Sequence, residues 1–181
     1  MRYNHILFLF FLSLLGCACN QAPKGRNEEQ MKLSNEISSL SKEVYQNNQA
    51  MDLEKSESLL KLLTEYTNKY RQDSLSAVYM LDAAQLSSSI GKYQQAVQFL
   101  MNYVEHPSAA KKDYATYLVG YQYDAFLKQP QQAEKYYRAT IQRYPDSPWA
   151  KTANQSLQWT GMSDEEIIKK LESESASTSN K

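Results

Sequence analysis

From Glu28 onward the apolar residues recur in steps of three and four, and no stretch alternates apolar with polar for any length. That period belongs to helices whose one face is buried, not to strands. Leu33, Ile37, Leu40 and Val44 make one stripe, and Leu59, Leu63, Tyr66 and Tyr70 a second. Tyr79, Ala83, Leu86 and Ile90 follow, then Tyr93, Val97, Leu100 and Val104, then Tyr114, Leu118, Tyr121 and Ala125. Each stripe needs a neighbouring helix to cover it. The pattern predicts an all-α chain of about eight helices, and links this short make successive helices antiparallel neighbours.

The residues between the stripes agree with this division. Asp52 is placed to cap a helix opening at Leu53, and Asp73 or Ser74 the next. Gly91 interrupts the chain between two stripes, while Pro130 and Pro148 stand where a first helical position tolerates proline. Ser163-Asp164-Glu165-Glu166 reads as a capping box, and Gly161 suits the end of the helix before it.

The start of the chain follows other rules. Arg2 precedes an apolar run from Ile6 to Leu15, too short for the roughly 20 residues that cross a bilayer as a helix but right for a signal peptide. Leu14-Leu15-Gly16-Cys17 follows directly and resembles the lipobox of bacterial lipoproteins. The resemblance implies a signal peptide over 1–16 and a lipidated Cys17 as the new N-terminus. Two or more acyl chains there hold a protein stably to a membrane, where one does not. Cys19 is left as a lone thiol beside the anchor. Residues 17–27 read as a flexible tether, 28–172 as the folded domain, and the Ser-rich 173–181 as a disordered tail.

Composition narrows the function. Lys and Arg number 20 and so do Asp and Glu, which gives no electrostatic reason to expect nucleic acid as a partner. Past the signal segment the single histidine is His106, before Pro107 at a helix end. No Cys or His cluster has metal-ligand spacing, and no glycine-rich phosphate loop is present. Acidic residues such as Glu28, Glu54 and Glu165 stand at helix starts, where they favour the helix dipole. The expectation is a binding protein, not an enzyme, with no cofactor and no metal. The 14 tyrosines supply both core and contact surface.

The stripes also repeat in pairs. Gly91-Lys92-Tyr93-Gln94-Gln95-Ala96-Val97 parallels Gln129-Pro130-Gln131-Gln132-Ala133-Glu134, and the two alanines are 37 apart (133 − 96). Tyr70 and Tyr144, each followed by Asp and Ser, are 74 apart (144 − 70), twice that period. A period of this size signals stacked helical hairpins. Ala84, Gly91, Tyr93, Ala96, Phe99, Leu100 and Pro107 in one hairpin, and Gly120, Ala133, Tyr136, Tyr137 and Pro145 in the next, resemble the tetratricopeptide-repeat signature. The second hairpin departs from it, having no turn glycine and one extra residue between Gly120 and Ala133. A hairpin ahead of these two, about 27–70, keeps only the stripes.

With the lipobox and the segment Tyr144-Pro145-Asp146-Ser147-Pro148-Trp149-Ala150-Lys151, the chain is similar to lipoproteins of the outer-membrane β-barrel assembly machinery and to repeat proteins of the Tol–Pal system. It resembles most the small repeat lipoproteins of Bacteroidota. The resemblance implies a solenoid whose concave groove is lined by Val78, Leu81, Gln85 and Ser88 from one repeat and Tyr114, Tyr117, Tyr121 and Asp124 from the next. Trp149 either extends that face or plugs the end of the stack. The function implied is a lipid-anchored scaffold at the outer membrane, facing the periplasm and binding envelope proteins or extended peptides. The alternative is an accessory protein that binds a cell-wall enzyme, a polymer or a soluble ligand.

Overall fold

The computed structural model describes residues 25–46 and 52–178. The expected signal peptide, Cys17, Cys19 and most of the expected tether lie outside the described residues. Within them there are eight α-helices and no strand. They are α1 (Glu28–Gln46), α2 (Leu53–Lys69), α3 (Ser74–Ser89), α4 (Tyr93–Glu105), α5 (Lys112–Tyr121), α6 (Pro130–Arg143), α7 (Pro148–Leu157) and α8 (Asp164–Thr178). The end of α5 widens into a π-helical segment, Gln122–Phe126. From α1 to α7 each helix packs on the next in chain order, and α5 also touches α7.

Local chemistry sets the boundaries. Asp52 accepts from the Lys55 N–H at 3.1 Å and Asp73 from the Leu75 N–H at 2.9 Å, which satisfies donors that a helix start leaves free. Ser147 caps α7 by accepting from the Trp149 N–H at 3.1 Å, with Pro148 in the first turn. The capping box at α8 is reciprocal. The Ser163 N–H donates to Glu166 at 2.7 Å, and the Glu166 N–H donates to Ser163 Oγ at 3.2 Å. α8 continues to Thr178, past the boundary at 172 that its serine content suggested. Neither glycine nor proline interrupts that stretch, and Ser173 Oγ bonds back to the Lys170 carbonyl at 2.7 Å.

Asp73 does more than cap. Its carboxylate also accepts from the Tyr66 hydroxyl at 3.0 Å and from Arg26 at 3.2 Å, while Gln30 donates to the same hydroxyl at 3.0 Å. One side chain thus joins the start of the domain, α2 and α3. Burial pushes this carboxyl up, but the bonds from the Leu75 N–H, Tyr66 and Arg26 together hold it below its ordinary value.

The internal repeat has a structural counterpart. Gly91 takes φ 77°, and 37 residues on (128 − 91) Lys128 takes φ 53°. The turn needs a left-handed residue at that place in both hairpins, and the second supplies it without glycine. Ala96 and Ala133 are both fully buried. Ala84 and Gly120 are only 36 apart (120 − 84), so the second hairpin must absorb one extra residue before Ala133. The π segment does so, with the Leu127 N–H reaching back five residues to the Gln122 carbonyl at 3.0 Å.

The main core spans α1 to α5, from Leu33 and Ile37 through Leu59, Leu63, Tyr66, Leu86 and Leu100 to Val119. A smaller cluster of Ala133, Tyr137 and Ala153 joins α6 to α7, with Tyr117 and Leu157 packed against it.

Candidate functional site

A groove of about 530 Å³ runs between α3 and α5 and ends at the π segment. Leu81, Gln85 and Ser88 line one wall, and Tyr114, Leu118 and Tyr121 the other; buried Ala84 and Leu100 also line it. Gln122 and Phe126 close one end. Five of the eight residues expected on a binding face therefore meet here: Leu81, Gln85, Ser88, Tyr114 and Tyr121.

The other three lie elsewhere. Val78 is on α3 and half exposed, outside the groove lining. Asp124 does not line the groove; its carboxylate accepts from the Tyr137 hydroxyl at 3.3 Å and the Thr160 hydroxyl at 3.2 Å. It ties the π segment to α6 and to the turn that follows α7. The extra residue of the π turn changes which side chains follow Tyr121 on the groove side, so Gln122 and Phe126 stand there instead. Tyr117 sits among rings, 5.6 Å from Tyr137 and 5.2 Å from Trp149 between centroids. Tyr114 and Tyr121 line the groove, and Tyr117 beside them packs on Tyr137 of α6 and Trp149 of α7.

The rings form a continuous run. Tyr93 stacks on Phe126 at 4.5 Å and 9°, and Phe126 meets Tyr121 edge-on at 5.7 Å and 89°. Tyr121 lies 6.5 Å from Tyr117, Tyr117 stacks on Trp149, and Trp149 meets Tyr114 at 4.5 Å. Trp149 thus extends the aromatic face of α5. Tyr121 and Phe126 are the exposed members, at 41% and 39%. Phe126 carries no periodic signal in the sequence, because its place depends on the π turn.

Polar groups are set among these rings. Gln122 is buried and its Nε2 donates to Ser88 Oγ at 3.0 Å, bridging the π segment to α3. Asp82 and Lys111 bring one charge of each sign to the lining. Desolvation raises the Asp82 carboxyl from its ordinary value, even though part of its surface meets solvent. The arrangement offers broad ring faces, amide and hydroxyl groups and opposite charges: a surface suited to holding an extended chain. His106 is remote from it, and no group of three or more His, Cys, Asp and Glu side chains among the described residues is arranged to hold a metal. Among the described residues no helix is long and apolar enough to cross a membrane.

Comparison with known proteins gives no matching family model, no similar curated protein and no similar solved structure.

Proposed function

We propose that this protein is a lipid-anchored repeat scaffold of the cell envelope that binds protein partners through the groove between α3 and α5. The fold is read as a tetratricopeptide-type solenoid. Sequential packing, the 37-residue offset between Gly91 and Lys128, and the small residues at helix crossings support that reading. Cys17 is the anchor, the outer membrane the location, and the periplasm the side faced; Leu14-Leu15-Gly16-Cys17 supports this. Outer-membrane assembly or envelope maintenance is the process such a scaffold serves.

The observation that carries the reading is the pair of exposed rings, Tyr121 and Phe126, standing beside the half-buried Ser88–Gln122 bridge at the end of the groove. Rings with few rotatable bonds give contact area at small entropic cost, and fixed amides give register to a bound backbone.

The test is crosslinking and pull-down from native membranes with wild type and Tyr121→Ala. A defined set of envelope proteins captured by wild type and lost in the variant supports the groove; capture unchanged in the variant removes it. Cys17→Ser belongs in the same experiment. It abolishes incorporation of labelled fatty acid and releases the protein from membranes if the anchor is read correctly.

A further inference from the structure

Three rings of the groove lining are each backed by a further ring. Tyr114 lies against Trp149, Tyr121 beside Tyr117, and Phe126 is stacked on Tyr93. The backing rings restrict the rotamers open to the groove rings, so their surfaces are in place before anything binds. Tyr121 and Phe126 are exposed and meet at 89°, so their two faces border a notch. Tyr114 is half-buried and lies further back along α5.

Tyr114 and Tyr121 are seven residues apart (121 − 114). At about 1.5 Å per residue of helix, that separates their positions by roughly 10 Å along α5. A polyproline II chain advances about 9.3 Å in each three-residue turn, so residues three apart meet rings at this spacing. A β-strand presents one face every second residue, about 6.7 Å apart, and does not match. Nor do helical walls offer a strand the backbone ladder of a sheet edge, because their own backbone groups bond along the helix. An α-helix places residues seven apart at the right distance, but its carbonyls are bonded internally. Polyproline II makes no internal hydrogen bond and leaves its carbonyls free to accept. Gln85 is exposed, and neither its amide nor the Tyr121 hydroxyl bonds to a described residue, so both can donate along the groove. The charges agree: Asp82 and Lys111 balance in the lining, which complements an uncharged segment better than an acidic or basic one.

We propose that the groove holds a proline-rich segment of the partner in the polyproline II conformation, with one proline on Tyr114 and another, three residues away, in the notch of Tyr121 and Phe126. This rests on the reading of the groove between α3 and α5 as the binding face. Proline is apolar and loses no side-chain freedom on burial, which suits it to fixed aromatic faces.

The experiment follows the aromatic NMR signals of the full chain during titration with acetyl-hexaproline-amide into the millimolar range. Acetyl-triproline-amide, too short to reach both rings, and a capped hexapeptide of alternating Val and Thr, which favours the strand conformation, are the comparison probes. The expected result is a saturable shift of the Tyr121 and Phe126 signals with hexaproline. Hexaproline binds about tenfold more tightly than triproline, because it gains a second ring contact. Tyr121→Ala, a change at an exposed ring, weakens hexaproline about tenfold for the same reason. Unmoved signals, equal binding of the Val-Thr peptide, no gain over triproline, or unchanged affinity in Tyr121→Ala each overturns the proposal. If hexaproline fails while Tyr121→Ala still loses its captured membrane partners, the groove reading stands and the proline-rich occupant alone falls.

Discussion

The ring of Tyr137 lies against the bare backbone of Gly120: a Cβ built on that glycine would stand 2.7 Å from Cδ1 of the tyrosine. This close approach brings α6 onto α5, and the Tyr137 hydroxyl goes on to reach Asp124 in the π segment. A single side chain therefore spans the crossing and the irregular turn beside it.

Gly120→Ala should lower stability by about 1–3 kcal/mol, since a fully buried ring cannot move away cheaply. Thermal and denaturant unfolding measure it. In the double variant with Tyr137→Leu the second change costs less than it does alone, because the two residues share one contact. Strict additivity would mean that the approach is not close.

Lys128 holds a left-handed backbone conformation that costs a non-glycine residue about 1 kcal/mol. Lys128→Gly is expected to leave stability unchanged or raise it by about 0.5 kcal/mol, the relief being offset by the greater freedom of glycine in the unfolded chain. Gly91→Ala is expected to lower stability by about 1 kcal/mol from backbone strain alone, since a Cβ there meets nothing within 4 Å. Equal effects of both changes in urea unfolding would contradict the difference.

Two tyrosines four apart on α5 should behave in opposite ways. Tyr117→Ala removes a ring packed on Tyr137 and Trp149 and costs about 2 kcal/mol of stability. Tyr121→Ala, at an exposed ring, stays within about 0.5 kcal/mol of wild type while reducing partner capture. Melting curves run beside the pull-down separate the two effects.

Asp73 has a folded-state value below that of the unfolded chain, about 3.9. It therefore stabilises the protein above that pH, and the contribution is lost as pH falls through the lower, folded value. Asp73→Asn should be less stable than wild type near neutrality, by about 1 kcal/mol, because the bonds from Arg26 and Tyr66 lose their charge assistance while asparagine still caps the helix. The difference should shrink in acid. A gap that is constant from neutral to acid pH would exclude this account.

Helix positions were legible in the sequence because their causes are local. The spacing of Leu59, Leu63 and Tyr66, the caps at Asp52 and Asp73, the box at Ser163 and the positive-φ turn at Gly91 each act within a few residues. Ala84, Ala96, Gly120 and Ala133 were legible as members of a repeating pattern. Tertiary packing alone decided which side of α5 each tyrosine serves. α5 is covered by α4, α6 and α7 together, so a single apolar stripe does not say which neighbour takes Tyr114, Tyr117 or Tyr121. The sequence showed an extra residue between Gly120 and Ala133 but not that a π turn would absorb it, sending Asp124 to Tyr137 and Phe126 to the groove. Hydrogen bonds between distant segments made that choice, and they exist only once the helices have packed.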